Sequence, residues 1–336
     1  MAGTILIIGD GAMACVCSKL LSAKGHPLRL WSAFADQAQQ LRRTRRSPFL
    51  PELFLEESLE ITADEAEAFA GACLAISAVP CQYIRGVWQR LAPHCPSGLP
   101  ICSVTKGIET RTLLRPSQIL SQVLTSVATP PAQLAVLSGP SISREVVQEM
   151  PATVVSASAD LGFAQQIQRI FSTSYFRVYA HDDLVGVELA GATKNIIAIA
   201  AGILDGMHAG DNAKASLLTR GLWEITRLGV QLGGRRETFF GLAGTGDLVT
   251  TCVSPYGRNR TFGEAIGRGR SVQEAAAAVT GVVEGIATTA SVMDLAARCG
   301  VAMPITQAVH SVLFEGKAPA EAIAQLMSRP LKNENA

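Results

Sequence analysis

The feature that most restricts what this chain can become is a glycine pair close to its start. Gly9–Asp10–Gly11–Ala12–Met13–Ala14 follows Thr4–Ile8, a short β-branched apolar run that reads as a buried strand. It precedes Ala12–Lys24, where Met13, Val16, Leu20 and Leu21 fall at helical spacing. Strand, Gly-x-Gly-x-x-small, helix is a turn suited to a dinucleotide. The first glycine permits the bend, the second lets the backbone approach a pyrophosphate, and the small third position lets the helix pack on the sheet. The helix start then turns free N–H groups and partial positive charge toward the phosphates. The plainer alternative is a glycine-rich turn without a ligand. Gly9, Gly11, Ala12 and Met13 are therefore expected to contact a nucleotide through their backbone.

Strand and helix patterns keep alternating beyond the turn. Pro27–Trp31, Cys73–Val79, Leu99–Val104, Ala132–Leu137, Thr153–Ala157 and Phe176–Tyr179 read as strands, and Phe34–Arg43 and Gln82–Leu91 as helices. The alternation predicts a parallel, doubly wound sheet with helices on both faces. After about residue 180 the texture changes to long Ala-rich helical patterns, among them Asp182–Leu204, Ala213–Leu232, Ala287–Arg298 and Thr306–Phe314. The aspartates of His181–Asp182–Asp183 suit a helix start. A length of 336 residues is long for one compact domain. The expected organisation is an α/β Rossmann-type doubly wound domain over 1–180 and an all-α domain over 181–336, with a frayed tail at Lys332–Ala336.

Charge excludes one class of partner. With 29 basic and 28 acidic residues the net charge is +1, without the lopsided basic balance of a nucleic-acid binder. The eight cysteines form no CxxC pair and no Cys/His cluster with zinc spacing, so no metal is expected. The start lacks a basic segment with a cleavage site, and the apolar Ile196–Leu204 is bordered by Lys194, Asn195 and Asp205. A reduced, cytoplasmic protein without membrane insertion is expected.

Cofactor choice turns on the end of the second strand. NAD-preferring turns place Asp or Glu there to hold the ribose 2′-hydroxyl. This chain has Leu30–Trp31–Ser32–Ala33, with no acid until Asp36. A missing carboxylate removes repulsion against a 2′-phosphate, and Arg42 or Arg43 is the candidate cation. NADP is therefore favoured over NAD. The run Arg42, Arg43, Arg45, Arg46 also reads as a solvated surface segment.

Reduction of a carbonyl by a dihydronicotinamide needs a group that protonates the developing alkoxide. None of the five histidines stands in a marked motif. Lys194 interrupts an apolar helix between Leu189, Ala190, Ile196 and Ile197, where partial burial would lower its pKa; the alternative is a lysine snorkelling at a domain seam. Lys106 sits just past the strand Leu99–Val104, at the carboxyl end where open α/β sheets bind ligands, or is a plain loop lysine. Gly257–Arg258–Asn259 offers an Arg fork and an amide beside a small residue, a credible phosphate clamp. Asp247, after the glycine-rich Gly241–Gly246, could orient Lys194, although capping the following helix is the stronger local reading.

Together these segments resemble the NAD(P)-dependent glycerol-3-phosphate dehydrogenases of the bacterial type. The resemblance rests on Ile8–Gly9–Asp10–Gly11, Thr105–Lys106–Gly107–Ile108–Glu109, Leu137–Ser138–Gly139–Pro140–Ser141, Gly191–Ala192–Thr193–Lys194–Asn195, Gly241 to Leu248, Gly257–Arg258–Asn259–Arg260 and Val282–Val283–Glu284–Gly285. It runs in order along nearly the whole chain. It implies a homodimer whose subunits reduce dihydroxyacetone phosphate to the glycerol 3-phosphate of phospholipid backbones. It implies Lys194 as proton acceptor in the oxidative direction, with Lys106 and Asp247 beside it. Lys106, Gly139, Ser141, Lys194, Asn195, Asp247, Gly257, Arg258 and Asn259 would line the substrate site. Lys106, Ser143, Arg258, Val282 and Glu284 would approach the cofactor with the glycine turn.

Departures from the family pattern gather at the cofactor end: Ala12–Met13 for a small polar and an aromatic residue, Ala14–Cys15 for Gly-Thr, and Ala33 for a frequent basic residue. Two other readings fit less of the chain. A β-hydroxyacid-type dehydrogenase shares the lysine but recognises a carboxylate, and a non-catalytic NAD(P)-binding regulatory protein would need only the turn.

Overall fold

The computed structural model describes residues 3–331, 333 and 334. Within the expected frayed tail, Lys332, Asn335 and Ala336 lie outside the described residues. Ten strands occur among the described residues: β1 (Thr4–Ile8), β2 (Leu28–Trp31), β3 (Arg46–Ser47), β4 (Leu50–Phe54), β5 (Glu60–Thr62), β6 (Ala72–Ser77), β7 (Ile101–Ser103), β8 (Leu134–Ser138), β9 (Ala152–Ser158) and β10 (Phe176–His181). Eight of them form one sheet in the order β10-β9-β8-β7-β6-β1-β2-β5, and β3 pairs with β4 as a separate ribbon. From β5 to β8 every pairing is parallel. The direction of winding reverses between β1 and β6, which opens a crevice at their carboxyl ends.

Strand β1 shows why the sheet is buried on both sides. Ile5 and Ile7 face one core with Val16, Leu20 and Phe163, whereas Leu6 and Ile8 face another with Trp31, Trp88 and Leu120.

The wholly parallel sheet read from the sequence needs correction at one edge: β9 runs antiparallel to β8. The link between them holds a single five-residue helix, Ser143–Val147. A parallel crossover needs a full helix to carry the chain back, so here it folds directly onto its neighbour. The link from β9 to β10 does contain an 11-residue helix, Leu161–Phe171, and that pair is parallel. The edge strand β5 and the β3–β4 ribbon were not legible in the sequence pattern.

Past β10 the described chain is helical. Asp183 starts the long helix Leu184–Gly206 by accepting the Gly186 N–H at 2.8 Å. This helix has the length and hydropathy of a membrane span, but 89% of that window is buried inside the protein, as the central helix of the helical half. Helix Arg258–Gly267 lies directly on it. The contact needs glycine on both sides: a Cβ at Gly202 would stand 2.0 Å from the Arg260 carbonyl oxygen, and one at Gly263 2.1 Å from that of Ile199. The close crossing brings the start of the second helix beside the polar stretch of the first.

Candidate active site

Lys194 lies on the central helix and is 5% exposed. Its Nζ is 2.5 Å from Oδ1 of Asp247 and also donates to Thr251 Oγ1. The other oxygen of Asp247 meets Lys106 Nζ at 2.6 Å, and Lys106 also donates to the Gly139 carbonyl at 3.1 Å. One buried carboxylate thus bridges two ammonium groups carried by separate parts of the chain. Lys106 leaves the sheet just past β7, Gly139 directly follows β8, and Asp247 begins helix Asp247–Val253.

Electrostatics follow from this geometry. Burial lowers the Lys194 ammonium from its ordinary value to about 8, with Asp247 opposing the shift and Lys106 adding to it. Burial by itself would raise the Asp247 carboxyl, yet Lys106 and Lys194 hold it below the usual carboxylate range. A lysine near 8 exchanges its proton readily at neutral pH, which is what a general acid or base requires.

Asp247 is not a helix cap. The preceding Leu242–Gly246 winds as one wide π turn, and Gly246 occupies the cap position. The helix continues through Asp247, whose side chain goes to the lysines. Local chemistry favoured the cap because both partners are remote in sequence.

The neighbouring groups form a rim around this trio. Ser141 donates to the Gly139 carbonyl at 3.1 Å, and Ser143 begins the short helix that follows. Gly257 is the cap position of helix Arg258–Gly267, where a Cβ would stand 3.1 Å from the Thr251 carbonyl oxygen. Thr251 therefore links the lysine to the Gly257–Arg258–Asn259 segment. Arg258 is exposed and is attracted to Glu284. Asn259 is buried and accepts the Gly285 N–H at 2.9 Å. Its carbonyl oxygen thereby fixes the start of helix Glu284–Cys299, and its NH₂ is not taken up by that contact. Asn195 is buried beside Lys194, and its main-chain carbonyl packs against Gly285.

Glu284 is the least satisfied member. Its Oε1 accepts the Cys81 N–H at 3.1 Å, whereas its Oε2 is shut from solvent with no hydrogen-bond partner. Burial pushes this carboxyl up to about 7, against the pull of the Cys81 N–H and Arg258. Val282 lies two residues before it, half-buried. Two carboxylates to which the sequence reading gave no role hold the frame. Glu188 on the central helix accepts from Ser117 N at 2.8 Å and Ser117 Oγ at 2.6 Å and pairs with Arg115. Glu109 pairs with Arg85 at 2.7 Å.

The glycine turn fits a dinucleotide. Gly9 has φ +115°, and a Cβ there would stand 2.9 Å from the Ala78 carbonyl oxygen at the end of β6. A Cβ on Gly11 would meet nothing within 4 Å, so the backbone at the start of helix Ala12–Ser22 is open to an approaching pyrophosphate. Ala12 and Met13 lie half-buried in its first turn. Asp10 turns its carboxylate aside, accepting from Ser32 at 2.5 Å. The unpaired Glu284 oxygen gives the other end of the crevice an acceptor for an N–H donor. Arg42 and Arg43 occupy the last turn of helix Ala35–Thr44, their backbone about 10 Å along its axis from Ala35 at 1.5 Å per residue.

Comparison with known proteins agrees with this arrangement. Residues 4–164 match the family described as NAD-dependent glycerol-3-phosphate dehydrogenase N-terminus, and residues 183–324 its C-terminus. The chain is 46% identical to glycerol-3-phosphate dehydrogenase [NAD(P)+] 1 of Salinibacter ruber, over 99% of this chain and 97% of that protein. It is 45% identical to the glycerol-3-phosphate dehydrogenase [NAD(P)+] of a Geobacter species, over 99% of each. The crystal structure of glycerol-3-phosphate dehydrogenase from Coxiella burnetii superposes with a TM-score of 0.92 at 36% identity, covering 97% of this chain and 99% of that one.

Proposed function

We infer the roles of the site residues from one premise: the chain belongs to the NAD-dependent glycerol-3-phosphate dehydrogenase family. It is an NAD(P)-dependent oxidoreductase that interconverts dihydroxyacetone phosphate and glycerol 3-phosphate. The nicotinamide, when bound, supplies or accepts the hydride.

Lys194 delivers a proton to the oxygen on carbon 2 as the carbonyl is reduced, and takes it back during oxidation. Its burial and its pKa near 8 support that role. Asp247 aims Lys194 and balances the two lysine charges. Lys106, steadied by the Gly139 carbonyl, holds the substrate's polar end beside Ser141 and Asn195. Gly257, Arg258 and the free NH₂ of Asn259 clamp the phosphate. Gly9, Gly11, Ala12 and Met13 receive the pyrophosphate, and Lys106, Ser143, Arg258, Val282 and Glu284 line the nicotinamide side. The two halves, 1–180 and 181–336, act as cofactor and substrate domains. The protein works as a cytoplasmic homodimer, without membrane insertion, supplying phospholipid backbones.

The observation that carries this reading is the buried lysine–aspartate–lysine bridge at the carboxyl end of the sheet. Mixing the enzyme with dihydroxyacetone phosphate and NADPH, then NADH, is expected to consume the reduced nicotinamide. A short-chain β-keto acid should leave it unconsumed. Turnover of the keto acid alone would overturn the substrate assignment, and tight cofactor binding without any turnover would favour the regulatory reading.

A further inference from the structure

The carboxyl end of β2 does hold a fixed cation, one that comes from another part of the chain. Arg90 lies in the last turn of helix Ile84–Leu91. Its guanidinium stands over the Trp31 ring, 5.2 Å from the centroid. Its Nη1 donates to the Ala33 carbonyl at 2.8 Å, and it pairs with Glu65. Trp31 and Ala33 flank Ser32 at the β2 terminus, the place where a bound dinucleotide presents its adenosine ribose. Ser32 itself is tied back to Asp10 at 2.5 Å, so its hydroxyl is already engaged.

We propose that Arg90 is the residue that selects the 2′-phosphate of NADP in this enzyme. The proposal rests on the dinucleotide site assigned above and concerns which dinucleotide it takes. Three features support it. Stacking on Trp31 and the bond to Ala33 hold the guanidinium in one place, so little side-chain freedom is lost on binding. Its five N–H donors exceed what one carboxylate and one carbonyl take up: Nε and Nη2 meet Glu65 and Nη1 meets Ala33, which leaves an N–H on each Nη to donate to a phosphate. Arg90 remains half-exposed, with 46% of its side chain open, so a ligand can reach it. Glu65 acts as the resident anion: without a 2′-phosphate it neutralises Arg90, and with one it shares the guanidinium. The cost of that sharing sets how strong the selection is.

The test is equilibrium binding by calorimetry, without substrate, of adenosine 2′,5′-bisphosphate and of 5′-AMP. The unmodified enzyme should bind the bisphosphate at least tenfold more tightly. In Arg90→Gln that ratio should fall to within about twofold of unity, whereas Arg90→Lys, which keeps the charge but loses the fork, should fall between. Arg90→Gln must melt as a folded protein for its ratio to count; if it does not, the Arg90→Lys ratio decides alone. A ratio near one in the unmodified enzyme, or a ratio unchanged in the variants, would overturn the assignment. Failure here leaves the reaction untouched, because turnover of dihydroxyacetone phosphate with either nicotinamide is read separately.

Discussion

The two ends of the cofactor crevice are built on different principles. At the substrate end, Lys106, Lys194 and Asp247 are locked together at 2.5–2.6 Å. All three are anchored in regular elements or directly beside them. At the adenosine end, Ser32, Ala33 and Arg90 sit on the rim of the sheet, and their contacts are partly open to water. A buried charged network leaves little room for change, since losing one member strands the others without partners. A half-exposed rim tolerates substitution and can adjust selectivity. Ala33, where the family resemblance leads one to expect a basic residue, lies on this rim.

The sharpest way to break the contrast is at the lysine. Lys194→Ala should lower kcat by about a thousandfold or more, within the range of general acid–base groups, and shift the NADPH dissociation constant less than about twofold. If turnover survives while NADPH binding is lost, the two ends are not separable. Asp247→Asn should cost about a hundredfold in kcat. Because Asp247 raises the Lys194 pKa, its removal should also move the lysine's pH limb downward. A limb that stays or rises would show that the carboxylate does not act on Lys194. Arg258→Ala should raise KM for dihydroxyacetone phosphate about tenfold or more, as expected for one charge-assisted hydrogen bond of ~1.5–3 kcal/mol, with a smaller change in kcat. Unchanged KM would place the phosphate elsewhere.

Much of this was legible in the sequence, and the failures share a cause. The glycine turn, the strand β1, the central helix and its aspartate start are local patterns, and each stands where the pattern put it. Local pattern alone favours a cap at Asp247, because its partners lie 53 and 141 residues away; the family resemblance is what puts it beside Lys194. Arg90 gave no signal, being 57 residues from the carbonyl it meets. The antiparallel β8–β9 pair was hidden because apolar runs report burial, not strand direction. β5 has three residues and β3 two, too few for any period to show.

The central claim is that burial beside Asp247 and Lys106 sets Lys194 to exchange the proton. The most direct measurement is kcat/KM for glycerol 3-phosphate oxidation as a function of pH, with NADP at saturation. Oxidation needs the neutral amine, so the rate should rise with pH about tenfold per unit and level off near pH 8, where the lysine gives up its proton. The residual activity of Lys194→Ala should lack that limb. A limb near the ordinary lysine value, or one that persists without Lys194, would contradict the account.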